Sequence, residues 1–547
     1  MTVPDSVPAV PDSVPAVPDS VPAMPDSVPV EPAAVPDAPD PASASGPAPE
    51  PVPASASPSA SPSARAPRRT QIFQVSTLYG AATLAAALDA GQFGRALDCH
   101  RILLVSNNAA VPETALRLEE MRGFGSLAAR FDAVVDWNEA ISPHHPSGWG
   151  PRSEETVLWQ RAFRLAWDIA PDAPVDLAVE SIQVNPARAL AAIFSESAVH
   201  VYADGLMSYG PTRNRMPQSI ACRIRRVLHL DLVTGLRPLL LAEAGVEPEL
   251  VPDDAFRAVL SEIATAAEGD KGLAAAEAAA PTAMLLGQYL AALTILTPEE
   301  EEELHIRMLR GAARAGHTSI LFKPHPTAPA RYSRALDEAA AELGVRLTTL
   351  DSPLLAETLY ERCAPTLVVG CFSTAMFTAA AYYGIPVARV GTRLVLDRIT
   401  PYENSNRIPL TITDHLVPDL DRLHAPGGTD APGGADASLA PGVPEGAGAP
   451  GARRAGDAGG GVPPLPRTAP DTLAPLVRTV GYCMQAKLNP GLRPEAEAWL
   501  REHLDSTTQH YFKRRRLQNL TLPGGGPRGA AVRLRRTVRR TRSTLGL

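Results

Sequence analysis

Three short stretches of this chain carry side chains whose types and spacing suit chemistry on a polar, charged substrate. In "VYADGLMSYG" an apolar run ends in Asp204-Gly205. A carboxylate held beside a flexible glycine suits the role of general base toward a hydroxyl. In "SILFKPHPTAPA" another apolar run ends in Lys323-Pro324-His325-Pro326. The prolines limit the freedom of the loop, so an imidazole and an ammonium are held where they can bind a phosphate or protonate a leaving group. In "LVVGCFSTAMFTAAAYYGIP" a run into Gly370 precedes Ser373-Thr374, which open a helix ended by Gly384 and Pro386. Two hydroxyls and the free backbone N–H groups of a helix start form an anion site. Each stretch also has a plain structural reading: an Asp-Gly turn, a rigid strand-to-helix turn and an N-cap.

Weaker candidates surround these. Gln288 follows "MLLG", and Ser76, Thr77, Tyr79 and Gly80 follow "IFQV", while Asn107 and Asn108 follow "LLVS". They are candidates for the remaining walls of a cleft. No GxGxxG or GxxxxGK[ST] follows a strand, which removes support from dinucleotide and P-loop readings. Asp419 and Asp421 have the spacing of a metal-nucleotide site but lie at the edge of a low-complexity stretch, and are set aside. No metal ligand set is read.

The elements that position these residues alternate. "QIFQVS", "RILLVSN", "FDAVVDW", "VDLAVES" and "AVHVYAD" are short, β-branched runs that read as buried strands, with helices over Glu154 to Ala170 and Ala187 to Phe194. A second series follows: "TAMLLGQ", a helix opened by Thr297-Pro298-Glu299-Glu300, "SILFK", a helix over 331–343, "VRLTTL", "PTLVVG", a helix from Ala375 and "IPVARV". Strand-helix alternation predicts an α/β fold with mainly parallel sheets. The expected division is a first α/β domain over 70–280, including an Ala/Glu-rich helical stretch at 253–280, a second over 281–424, and a closing helical segment over 471–518. Ligands of open α/β sheets bind beyond the carboxyl ends of the strands, where the three stretches above all fall.

The rest of the chain is of a different kind. Fifty-six prolines and 40 glycines are far above average usage for 547 residues, so much of the length is not core. Residues 1–69 hold the repeat "VPDSVPA" and a Pro/Ala/Ser tract, which predicts a disordered tail with no signal-peptide pattern. Residues 425–470 are Gly/Ala/Pro-rich and predict a disordered insertion. The five cysteines Cys99, Cys222, Cys363, Cys371 and Cys483 show no CxxC spacing, which fits a reducing, cytoplasmic compartment better than a disulfide framework or zinc site. No apolar run reaches the roughly 20 residues that span a bilayer. The net charge is −8, yet residues 513–542 carry eleven Lys and Arg and no acid. That basic tail, 519–547 beyond the closing helices, suits an anionic membrane surface, and a solvated tail without a partner is the plain alternative. A nucleic-acid partner is not expected.

In their order and strand-end context, Asp204-Gly205, His325-Pro326 and Ser373-Thr374 resemble the D/E-D/E-G, HP and Ser/Thr-rich motifs of bacterial sialyltransferases and polysialyltransferases. The resemblance covers roughly residues 70–415 and 471–518. It implies a GT-B glycosyltransferase fold, two Rossmann-like domains facing a central cleft with the acceptor on the first and the CMP-linked donor on the second. It further implies inverting transfer of sialic acid or a related nonulosonic acid from a CMP-activated donor to a glycan hydroxyl, without a cofactor or required metal. By position, Asp204 is then the base, His325 contacts the phosphate or assists its departure, and Ser373 and Thr374 bind that phosphate, with Gly205, Lys323, Pro326 and Gln288 nearby. The family motif has two acids before the glycine and this chain has Ala203 in the first place. Glu180, in "VESIQVNPAR", is the candidate to replace it.

Two other functions fit the same residues. A CDP-activated polyol-phosphate transferase of the teichoic acid type would use a second basic motif, for which Arg389 and Arg393 in "PVARVGTRLVLDR" stand ready. A non-catalytic scaffold, a degenerate transferase domain placed on the inner membrane face by its basic tail, would account for Ala203.

Overall fold

The structure is a computed structural model that describes residues 68–325, 331–423 and 461–526. The predicted tail at 1–69 lies outside it save for its last two residues, as do Pro326 and most of the 425–470 stretch.

The described residues form one compact unit built on two parallel sheets. The first holds β1 (Arg69–Val75), β2 (Cys99–Val105), β3 (Ala133–Asp136), β4 (Val175–Val179), β5 (Ala198–Ala203), β6 (Ile224–His229) and β7 (Pro248–Leu250) in the order β3-β2-β1-β4-β5-β6-β7. Every neighbouring pair is parallel. The second sheet holds β8 (Ala283–Leu286), β9 (Ser319–Lys323), β10 (Arg346–Thr349), β11 (Leu367–Gly370) and β12 (Val387–Arg389), ordered β10-β9-β8-β11-β12 and again parallel. These are doubly wound sheets, and their pairing is the GT-B architecture the motifs imply.

The period-2 geometry of a strand explains the apolar runs. Ile72, Ile102, Leu177 and Val199 pack on one face with Trp137, Phe163 and Leu190. Their neighbours Phe73, Leu103 and Ala178, with Tyr202 further along β5, belong to the other face, in a core continuous with the second sheet. Both faces are covered by helices, so both sets of side chains are apolar.

The structure corrects or refines the sequence reading in four places. Strands β6 and β7 are not among those read from the sequence, because Arg225 and Arg226 interrupt the apolar pattern of "IRRVLH". Arg226 turns inward, donating to His200 Nδ1 at 2.9 Å, Glu249 Oε2 at 2.9 Å and the Gln92 carbonyl at 2.6 Å. The stretch 253–280 is two helices, Asp253–Ala266 and Lys271–Ala279, divided by Gly269 at φ +80 and capped anew by Asp270. Residues 461–470 of the predicted insertion are packed: Val462 is buried, and the Ala469 N–H donates to the Thr234 carbonyl at 2.8 Å. Part of the basic segment is folded as well. Helix Arg514–Leu520 sits against Leu473–Met484, where Arg516 donates to the Cys483 carbonyl at 2.6 Å and pairs with Glu403 at 2.5 Å, while Lys513 pairs with Asp397 at 3.1 Å. Their charges are therefore already engaged. Among the described residues no helix is long and apolar enough to cross a membrane.

Candidate active site

In each sheet the strand order reverses at one point, between β1 and β4 and between β8 and β11. There the helices leave for opposite faces and a crevice opens beyond the strand ends. Both crevices contribute to one cavity of about 510 Å³, lined by residues of both sheets including Glu180, Asp204, Gln288, His325, Ser373 and Thr374. Residues far apart in sequence are gathered because each follows a strand.

On the first sheet, Glu180 follows β4 and its carboxylate accepts from the Ser76 hydroxyl, after β1, at 2.5 Å. Its backbone N–H donates to Gln74 Oε1 at 3.2 Å. Asp204 follows β5, half-buried, with a carboxylate oxygen directed at the first turn of helix Leu78–Asp89: a Cβ placed on Gly80 would stand 3.4 Å from Asp204 Oδ2. Burial, and after it the charge of Glu180, pushes the Asp204 carboxyl up to about 7. Burial raises Glu180 too, against the opposing hydrogen bonds from Ser76 and Gln74. The pair is two carboxyls in one pocket that resist ionising together. Ala203, where the family motif has its first acid, also lines the cavity, so Glu180 from the adjacent strand supplies a second carboxyl beside that place.

On the second sheet, the backbone after β8 and β9 is drawn tight. The Gly287 N–H donates to the Lys323 carbonyl at 2.8 Å, and a Cβ on Gly287 would lie 3.0 Å from both His325 N and Pro324 Cα. Glycine is what allows the HP turn to lie against β8. The His325 ring stacks on Tyr289 with centroids 3.9 Å apart. Burial, with Lys323 adding to it, lowers His325 to about 4, so the imidazole is neutral at neutral pH. Lys323 does not line the cavity. It lies behind it, its affinity for a proton lowered by burial and partly restored by Glu357.

Gln288 is buried, and the residues that hold it were not among the sequence candidates. Its N–H donates to His305 Nε2 at 3.0 Å, while Glu301 accepts from the Leu290 and Ala291 N–H groups at 2.6 and 3.1 Å. Both supports come from helix Pro298–Arg314. Within five consecutive glutamates Glu301 reads as solvated. Its i, i+4 spacing to His305 on the apolar stripe was the available signal.

Ser373 caps helix Thr374–Tyr383, its hydroxyl oxygen accepting from the Ala375 N–H at 3.3 Å. The Thr374 hydroxyl reaches the other sheet, accepting from the Leu206 N–H at 3.5 Å, and a Cβ on Gly205 would meet it at 3.0 Å. The Asp-Gly and Ser-Thr motifs are thus in direct contact.

Other sequence candidates fall elsewhere. Thr77 caps helix Leu78–Asp89, and Tyr79 packs on Phe256 with ring centroids 5.4 Å apart. Asn107 lines a separate cavity of about 700 Å³ above β1 to β3. Arg389 and Arg393 are turned away from the cleft. Asp414 binds both, at 2.9 and 3.0 Å, and also takes His510 Nε2 at 2.7 Å and the Tyr511 hydroxyl at 3.0 Å. Asp419 pairs with Arg389 at 2.9 Å, and Asp421 with Arg307 at 2.5 Å. Among the described residues no group of three or more His, Cys, Asp or Glu side chains is placed to hold a metal ion.

The model of the alpha-2,8-polysialyltransferase family matches residues 71–392, more than half of the chain and all three motifs. The chain belongs to the alpha-2,8-polysialyltransferase family. It is thereby a sialyl-type glycosyltransferase that works on a nucleotide-sugar donor and a glycan acceptor. No curated protein matches it in sequence. Among solved structures it is similar to the sialyltransferase from Photobacterium damsela, at 12% identity over 62% of this chain and 78% of that one, with a TM-score of 0.36. The GT-B domain of a sialyltransferase from Photobacterium damselae gives 12% identity, 62% and 95% coverage and a TM-score of 0.35. A UDP complex of MnaA from S. aureus gives 12%, 65% and 90%, and 0.33.

Proposed function

We propose that this polysialyltransferase-family protein transfers sialic acid or a related nonulosonic acid from a CMP-activated donor to a glycan hydroxyl, with inversion. The observation that carries the reading is the single cavity in which Glu180 and Asp204 of one sheet face His325, Ser373 and Thr374 of the other. A base and an anion site on opposite walls are what a displacement at a sugar carbon requires.

In this reading Asp204 takes the proton of the acceptor hydroxyl. A carboxyl near 7 is matched to that task at neutral pH, and the nearby Glu180 is part of what raises it. The hydroxyl oxygen forms its bond to the anomeric carbon as the bond to the CMP phosphate breaks on the far side, which inverts the centre. The departing phosphate is met by the N–H groups at the start of helix Thr374–Tyr383, by the hydroxyls of Ser373 and Thr374, and by the neutral His325 ring. Lys323 acts from behind as a positive charge in a poorly solvated setting. Tyr289 holds the His325 ring in place.

The teichoic-type reading loses its second basic motif, since Arg389 and Arg393 serve Asp414. The scaffold reading is weakened by Glu180, which supplies a second carboxyl next to Ala203. As part of the same proposal, the protein works in the cytoplasm at the inner membrane face, drawn there by the seven arginines of residues 527–547. Deleting that segment should lower binding to anionic vesicles, and unchanged binding would remove this part of the reading.

The test of the transferase reading is nucleotide release from CMP-sialic acid, CMP-Kdn, CDP-glycerol and UDP-sugars by wild type, Asp204→Ala and His325→Ala. CMP release abolished by both substitutions supports the reading. Turnover of CDP-glycerol would transfer the case to the rival, and silence across the panel with intact folding would favour the scaffold.

A further inference from the structure

Two carboxyls in one pocket divide their protons according to the hydrogen bonds each receives. Glu180 and Asp204 line the same cavity, but their bonding is unequal. The Glu180 carboxylate accepts from the Ser76 hydroxyl at 2.5 Å. Among the described residues no side chain donates to Asp204. A donated hydrogen bond favours the charged form of a carboxyl, so the asymmetry bears on which of the two ionises first.

Ser76 is placed by the sheet. It is the first residue beyond β1, and Gln74 braces that strand end on both sides. The Gln74 side chain donates to Ser106 Oγ, beyond β2, at 3.2 Å and accepts from the Glu180 N–H, beyond β4, at 3.2 Å. The Tyr202 hydroxyl of β5 donates to the Gln74 carbonyl at 3.1 Å. The hydroxyl of Ser76 and the carboxylate of Glu180 therefore meet because β1 and β4 are neighbours. Around the pair, Tyr202 on β5 and Tyr79 on helix Leu78–Asp89 are kept protonated by burial. Across the cavity His325 is neutral, and Arg213 at the rim keeps its charge. None of these changes charge near neutral pH, where the acid pair alone titrates.

We propose that Ser76 is a positioning residue of the acid pair: the hydrogen bond from its hydroxyl keeps Glu180 as the ionised member and leaves Asp204 as the member that takes and releases the proton. The order of ionisation follows from the geometry, and its use in the reaction rests on the transferase reading above. Without the hydroxyl, Glu180 holds its proton longer and Asp204 ionises beside a neutral neighbour, at lower pH. The Ser76 backbone also supports the Glu180 charge, and Ser76→Ala leaves that contribution in place.

The experiment follows the carboxyl ¹³C resonances of Glu180 and Asp204 against pH in the full chain, in wild type, Ser76→Ala and Ser76→Thr, assigned with Glu180→Gln and Asp204→Asn. In wild type Glu180 should titrate first and Asp204 at about 7. In Ser76→Ala the order should reverse, with the Asp204 midpoint lower by about one unit, and Ser76→Thr should restore the wild-type order. Should Ser76→Ala not fold, Ser76→Cys keeps the volume with a much weaker donor and should move the midpoint the same way. The same order with and without the hydroxyl, or Asp204 ionising first in wild type, would overturn the inference. The pH profile of CMP release should follow the Asp204 midpoint in each variant, a shift that a merely structural role for Ser76 would not produce. Resonances are read without turnover, so failure of the transferase reading appears separately, as absence of CMP release from the donor panel.

Discussion

The hydroxyl of Thr374, at the start of a helix on the second sheet, accepts a hydrogen bond from the backbone N–H of Leu206, two residues beyond Asp204 on the first. Through it the candidate anion site and the candidate base are held in one geometry. Replacing Thr374 with Val keeps the shape and removes this contact together with the hydroxyl proposed to meet the phosphate. Because the bond is long, at 3.5 Å, the stability change should stay below about 1 kcal/mol. Donor turnover should fall by about tenfold or more. Thr374→Ser should restore most of it, and a variant with full turnover would separate the hydroxyl from function.

Asp204→Asn should cost about 10² to 10⁴ in turnover if Asp204 is the base. The same change should stabilise the fold at high pH. A carboxyl raised to about 7 contributes stability in its protonated form, present below its ordinary range near 4 and lost as pH rises through 7. Asn keeps that neutral state, so its gain over wild type should be absent at pH 4 and grow to about 1–2 kcal/mol by pH 8. The figure is held down because the carboxyl opens on the cavity. Thermal melts across this range, beside a wild-type rate that climbs through pH 7, read both effects.

Gly287→Ala pushes a methyl against backbone of the HP turn, which must shift by tenths of an ångström. The expected result is a loss of about 1–3 kcal/mol in stability and a raised donor KM. Acceptor binding measured without donor should not change.

Arg389→Ala separates the transferase reading from its teichoic-type rival. Asp414 is buried, with Arg389, Arg393, His510 and Tyr511 around it, and the two arginines and His510 hold its carboxyl well below the usual range despite burial. Removing Arg389 strands part of that charge and should cost about 3–5 kcal/mol, with donor KM unchanged in the fraction that stays folded. A donor-binding defect in a stable variant would put Arg389 back at a phosphate.

The alternation of short β-branched runs with helices was legible from the sequence, as were the three polar motifs at strand ends, because both follow from local rules: strand period, helix caps and the residues that stop each element. Those rules failed where long-range pairing overrode them. β6 was hidden by Arg226, whose charge is met by Glu249 and His200 only once the sheet is assembled. Glu301 looked solvated until the loop 288–291 supplied its N–H donors.

Composition and spacing thus determined the α/β class, the order of the motifs and the family they resemble. Tertiary structure decided that Glu180 stands with Asp204, that Thr374 meets Leu206, and that Arg389 faces Asp414 and not the cleft. Contacts between the ends of different strands depend on sheet order and on how the two sheets face each other. No local period encodes either.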